Sequence, residues 1–289
     1  MDCIRENAYA KLNISLDVTR KRPDGYHDMV MVMQTVSLFD ELDIRLTDSG
    51  RVQVRSNLHF IPSDERNLAV KAALCFLAAA GKTGQGMLIS LTKHIPVGAG
   101  MAGGSADAAA VLRALNRMYD RPFTGEELEK LSEQVGSDVP FCVRGGTVLA
   151  TGRGEKLESL PEMPDCQFVI CKPDFSVSTP ELFRKLDQSS LRCHPDTAGI
   201  VAALESGELE PIARRMYNVF EDMDDRRLRT VKEIKSVLLD CGALGAIMTG
   251  TGSAVFGVFR PGADCSAAAA ALQKEYGFCE TARCVGKLD

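Results

Sequence analysis

Apolar and polar residues alternate at period two near the start of the chain. Ala8, Ala10, Leu12, Ile14, Leu16 and Val18 share one face, the pattern of a strand lying on a core. Pro23-Asp24-Gly25 interrupts it with a turn signal. Met29–Leu38, Leu42–Leu46 and Val52–Val54 read as further strands. From Asn67 to Ala80 the apolar spacing becomes helical, and Gly81 supplies a stop. A strand is predicted at Met87–Lys93, and Ala108, Val111, Leu112, Leu115 and Met118 then recur at helical spacing. Thr124-Gly125-Glu126-Glu127 is a capping box opening a helix to about Val135, which Gly136 can end.

The second half predicts a strand at Phe168–Cys171 and helices within 179–187, 196–205 and 225–240. Strands Gly245–Met248 and Ala254–Phe259, helix Ala263–Tyr276 and a strand near Glu280–Val285 complete it. Strands and helices interleave, which indicates the α+β class. After a short strand at Thr147–Thr151, the glycine- and charge-rich TGRGEKLESLPEMP reads as a domain boundary near residue 160, giving domains 1–160 and 161–289.

A chain of 289 residues can bury two cores, so this division is physically affordable. The net charge of −5 argues against a dedicated nucleic-acid binder. Ten cysteines without a CxxC pair read as reduced, mostly buried thiols, and the four histidines lack ligand-like spacing for zinc. No signal-like or long uncharged apolar run is present, so a cytoplasmic protein without a membrane span is expected.

The chemistry concentrates in PVGAGMAGGSADAAA, residues 96–110, a glycine-rich loop running directly into an alanine-rich helix. Glycines let backbone N–H groups approach an anion, and a helix N-terminus adds unpaired donors, so the pattern suits phosphate. Gly98, Gly100 and Gly103 also satisfy G-x-G-x-x-G. A dinucleotide fold, however, needs those glycines directly after a strand and a second strand after the helix. Here Pro96-Val97 intervenes and another capped helix follows, while no Lys-Ser or Lys-Thr completes a P-loop. A ligand-free strand-to-helix connection is the plain alternative.

Other residues are ambiguous by type alone. Asp138, in Gly136-Ser137-Asp138-Val139-Pro140, suits the N-cap of a new helix as well as a proton acceptor. Lys11 and Asn13 fall on the strand face opposite the apolar one, where a lysine is ordinarily solvated. Tyr26-His27 reads as an exposed turn, Phe183 as helical core, and Gly250-Thr251-Gly252-Ser253 as a turn between strands.

Pro96-Val97-Gly98-Ala99-Gly100-Met101-Ala102-Gly103-Gly104-Ser105 resembles the central motif of the GHMP small-molecule kinases. NAYAKLNI, residues 7–14, resembles their N-terminal motif, and TGTGSA, residues 249–254, their C-terminal glycine motif. The resemblance implies a two-domain α+β fold: an N-terminal nucleotide-binding domain and a C-terminal ferredoxin-like domain. It implies ATP and Mg²⁺, with the backbone from Pro96 to Ala106 cradling phosphates and Ser105 as a metal contact. Lys11 and Asp138 become the catalytic pair. AKLNISLDVTRKRPDGYHD and GSDVPFC resemble the members that phosphorylate the 2-hydroxyl of 4-diphosphocytidyl-2-C-methyl-D-erythritol in isoprenoid precursor biosynthesis. In that reading Tyr26 and Phe183 sandwich the cytosine ring and His27 reads its edge. Asn13, Thr179, Gly250, Thr251 and Gly252 meet the rest of this cytidine diphosphate-linked alcohol. The chain departs from the commoner loop in Met101, Ala102 and Ala106, which leaves Ser105 as the hydroxyl of the loop. Monomer and homodimer stay open. So do a sibling kinase acting on mevalonate, homoserine or a sugar, and, more remotely, an NAD-dependent oxidoreductase or an RNA-binding module.

Overall fold

The computed structural model describes residues 2–189, 191 and 193–288. The first half builds one sheet from β1 (Cys3–Lys21), β2 (His27–Thr47), β3 (Val52–Ser56), β4 (Gly86–Thr92), β5 (Thr147–Gly152) and β6 (Lys156–Ser159). Every residue of the Ala8-to-Val18 apolar stripe is buried. The opposite face of β1 is buried too: Lys11, Asn13, Ser15 and Asp17 are all covered. Lys11 is therefore no solvated strand lysine.

β2 is one strand of 21 residues where the hydrophobic pattern suggested two. It pairs with β1 along one edge; its other edge takes β5 at Met29–Gln34 and β4 at Glu41–Thr47. The apparent break at Asp40 is a carboxylate turned into the core, not a turn. Helices α1 (Leu68–Ala79), α2 (Gly103–Met118) and α4 (Val139–Arg144) cover this sheet, and α3 (Gly125–Ser132) packs on those helices. α2 is central, and its alanines let β1, α1 and α4 pack closely around it. Asn67 caps α1, and Thr124 and Glu127 form the capping box of α3.

A second sheet opens with β7 (Gln167–Lys172). Helices α5 (Thr179–Asp187), α6 (Thr197–Ser206) and α7 (Leu209–Arg215) follow. The chain then returns to the first sheet as β8 (Tyr217–Asn218), parallel to β1. Helix α8 (Leu228–Asp240), β9 (Gly245–Met248), β10 (Val255–Phe259), α9 (Ser266–Tyr276) and β11 (Phe278–Arg283) complete the fold. The second sheet is antiparallel in the order β11-β7-β10-β9. Read as strands 4-1-3-2 with helices in the two crossovers, this is the ferredoxin-like arrangement. β6, α7 and β8 were not foreseen, and α8 starts three residues later than its periodicity suggested. No described helix is long and apolar enough to cross a membrane. The described cysteines are all free; five are buried, whereas Cys3, Cys193 and Cys241 are exposed.

Candidate active site

The three glycine- or lysine-bearing motifs meet at the junction of the two sheets. The Lys11 N–H donates to Met101 O at 3.2 Å, and the Ala254 N–H donates to Ala99 O at 3.1 Å. The Asn13 N–H donates to Thr249 Oγ1 at 3.0 Å. β1, the 96–105 loop and the 249–254 loop are thus one hydrogen-bonded unit. The approach is close enough to require glycine. Gly100 has φ +77°, and a Cβ there would collide with the carbonyl oxygen of Thr249. A Cβ on Gly250, at φ +57°, would lie 2.7 Å from Gly100 O.

The loop enters α2 through Ala102, whose φ of +57° is unusual for a residue with a Cβ. No side chain caps this helix. The donors of its first turn therefore lack the usual Ser or Asp partner, which is the arrangement that accepts an anion. β4 leads into the loop and the helix is followed by α3, not a strand, so the dinucleotide reading fails on topology as well.

Around this unit lies a cavity of about 1000 Å³. Pro96, Val97, Gly98, Ala99, Gly100, Met101, Ala102, Gly103, Gly104 and Ser105 all line it, together with Lys11, Asp138, Tyr26, His27, Thr179, Phe183, Gly250, Thr251 and Gly252. The Ala99 and Met101 side chains are buried, so these positions offer backbone only. Two expected residues lie elsewhere. Ala106 is buried off the cavity wall, and its N–H is spent on Ala102 O at 2.8 Å. Asn13 is fully buried behind Lys11, accepting from Nζ through Oδ1 at 2.5 Å.

Asp138 takes the N-cap position of α4, yet its side chain makes no cap hydrogen bond. The carboxylate is half-buried on the cavity wall and not consumed by the helix. Nearby Cys142 is pushed up to about 12 by burial and so stays an inert thiol.

At the aromatic end, Gly25 at φ +85° and Asp24, accepting the Tyr26 N–H at 3.1 Å, shape the turn. Tyr26 is 55% exposed and carries the Arg153 guanidinium 5.2 Å from its ring centroid. Phe183 stacks on His27 at 4.7 Å and packs edge-on against Phe220. Each ring of the expected sandwich thus has a neighbour of its own. Thr179 and Thr251 join the two walls through their hydroxyls, 2.9 Å apart.

Several contributors escaped the sequence reading. Asp187 accepts from His27 Nε2 at 2.8 Å and from Lys21 at 2.6 Å, and these partners hold its carboxyl below the ordinary range. Asn218 donates to Met248 O and Gly250 O, both at 2.8 Å, and so braces the last glycine loop. Lys93, Asp40 and Asp107 form a buried ionic group beneath the 96–105 loop. Burial pushes the Asp107 carboxyl up to about 7 against the pull of Lys93. Polar side chains buried between elements distant in sequence leave no periodic signal; only the unexpected polarity of Asp40 in an apolar strand hinted at them. No group of three or more His, Cys, Asp or Glu residues suited to a metal occurs among the described residues.

Residues 67–146 match the family model for the GHMP kinases N terminal domain, and residues 200–277 match that for GHMP kinases C terminal. The 4-diphosphocytidyl-2-C-methyl-D-erythritol kinase of Listeria monocytogenes serotype 4a is 43% identical over 273 residues, covering 94% of this chain and 92% of its own. That of Lachnospira eligens is 41% identical over 259 residues, covering 90% of each. A crystal structure of 4-(cytidine 5'-diphospho)-2C-methyl-D-erythritol kinase superposes with TM-score 0.80 at 32% identity, covering 98% of this chain and all of that one. A homoserine kinase from Cytophaga hutchinsonii, 21% identical over 99% of this chain and 96% of its own, shares the fold with TM-score 0.77. The chain belongs to the GHMP kinases and, within them, to the family of 4-diphosphocytidyl-2-C-methyl-D-erythritol kinases.

Proposed function

We propose that this chain transfers the γ-phosphoryl group of ATP to the 2-hydroxyl of 4-diphosphocytidyl-2-C-methyl-D-erythritol, a step of isoprenoid precursor biosynthesis. The observation that carries the reading is a single cavity lined at once by the uncapped glycine loop, Lys11, Asp138 and the Tyr26-His27-Phe183 group. The loop backbone and the first turn of α2 bind the ATP phosphates. Asp138 accepts the proton of the 2-hydroxyl as its oxygen attacks the γ-phosphorus and the bond to the β-phosphate oxygen breaks, releasing ADP. Lys11 spends one of its three donors on Asn13 and turns its charge to the transferring phosphoryl group and to Asp138. Asn13 accordingly acts on Lys11 and not on substrate. Tyr26 and Phe183 stack on the cytosine, with His27 at its edge; each stacking partner contributes about 1–3 kcal/mol. Were Mg²⁺ to bind with the nucleotide, Ser105, which lines the cavity in the first turn of α2, would be the side chain to hold it, and the ion would supply neutralisation of phosphate charge. The test is ADP release from ATP with the cytidyl alcohol against mevalonate and homoserine. Turnover confined to the cytidyl alcohol is expected; preference for either control would overturn the substrate.

A further inference from the structure

Beneath the glycine loop, reaching the cavity wall at Lys93 and Asp107, lies an ionic group to which the chemistry above assigns no role. Lys93 directly follows β4, and its ammonium is buried with the carboxylates of Asp40 and Asp107, all three less than a tenth exposed. Each partner holds a different end of the loop. Asp40 Oδ1 accepts the backbone N–H groups of His94 at 2.5 Å and Ile95 at 2.8 Å, where the chain enters the loop. Asp107 lies in the second turn of α2, where the chain leaves it, and accepts from Lys93 Nζ at 2.7 Å. Nζ itself sits against Gly103, 3.3 Å from the place a Cβ would occupy. Asp107 Oδ1 is buried without a partner. A buried carboxylate oxygen without a partner is costly, so this group contributes less to stability than its ion pairs suggest. What it does fix is the separation between the entry and the exit of the loop.

We propose that Asp40, Lys93 and Asp107 are positioning residues, a buried clamp that sets the curvature of the glycine loop and thereby the affinity for ATP. The inference rests on that loop being the phosphate cradle. Asp107→Ala cuts the clamp at the α2 end and leaves Lys93 and Asp40 as a balanced pair, so no stranded charge opposes folding. It should raise the KM for ATP about ten- to a hundredfold while leaving the KM for the cytidyl alcohol within about threefold. Asp107→Asn keeps an oxygen for Lys93 and should recover most of the ATP affinity. Hydrogen exchange gives an independent measure: Asp107→Ala should accelerate the amides of residues 98–104 and spare those of β1. An Ala variant with wild-type ATP KM overturns the clamp. So does an Asn variant as impaired as the Ala variant, because the charge and not the tie would then matter. Absence of ATP-dependent turnover in the wild type would instead overturn the kinase reading, so the two failures are distinguishable.

Discussion

Lys11 and Asp138 carry the sharpest tests at the scale of single residues, because both sit where a purely structural role is unsatisfying. Lys11 is buried beside a single acceptor, and Asp138 holds a cap position without capping. Lys11→Ala and Asp138→Ala should each lower kcat by about 10²–10⁴-fold with the melting temperature little changed. Wild-type-like turnover in either purified, folded variant would sink the assignment. Asp107 gives a pH test. Its carboxyl stands at about 7 in the folded protein against an ordinary 3.8, so from about pH 4 to 7 the folded state keeps a proton that the unfolded state has lost. Stability is therefore fullest below the ordinary value and declines as pH rises through 7. Asp107→Asn removes this dependence, so its melting temperature relative to wild type should climb from pH 4 to 7 and then level off. A constant difference would refute the shift. The loop was legible because a phosphate cradle is made of backbone, and backbone needs leave glycines in the sequence; Lys11 and Asp138, ambiguous by residue type, were singled out only by the family resemblance. The clamp was not legible: Lys93 and Asp40 are 53 positions apart, and each alone reads as an ordinary charge.

At the scale of elements, strands and helices set by local rules were readable and those set by distant partners were not. Asn67, the Thr124–Glu127 box and the alternation of β1 specified their elements within a few residues. β2 looked interrupted because Asp40 faces inward to meet Lys93, a contact that periodicity cannot anticipate. α7 carries a proline in its first turn, and β8 is two residues long and exists only because β1 offers an edge. The same distinction separates two glycines. Gly125 begins α3 with open space around it, so Gly125→Ala should be neutral or stabilise by up to about 1 kcal/mol. Gly100 is left-handed and pressed against Thr249, so Gly100→Ala should destabilise by about 1–3 kcal/mol and weaken ATP binding. Urea melts of the two variants read the contrast, and equal midpoints would mean that the two glycine loops do not touch.

Over the whole molecule, the two sheets are joined by more than a linker. β8 leaves the second half to pair with β1, and Asn218 at its end braces the glycine loop between β9 and β10. The C-terminal tail runs back onto the first sheet, with the Val285 N–H donating to Thr35 O at 2.9 Å and the Leu288 N–H to Arg144 O at 2.8 Å. A Cβ on Gly145 would meet Leu288 Cγ at 2.5 Å, so the tail is seated and not draped. Since the cavity is walled by residues 11–153 from one half and 177–252 from the other, a ligand that fills it stabilises both. The full chain should therefore unfold in one calorimetric transition, its calorimetric and van't Hoff enthalpies agreeing. A non-hydrolysable ATP analogue at about a hundred times its Kd should move that entire transition by about 2.7 kcal/mol of stability. Removing residues 284–289 takes away the tail's hydrogen bonds without touching the cavity. That variant should melt lower, yet the analogue should raise its stability by the same amount. Two transitions in the full chain, with the analogue moving only one, would mean that the halves fold separately and that the cleft is not the shared site on which the kinase reading depends.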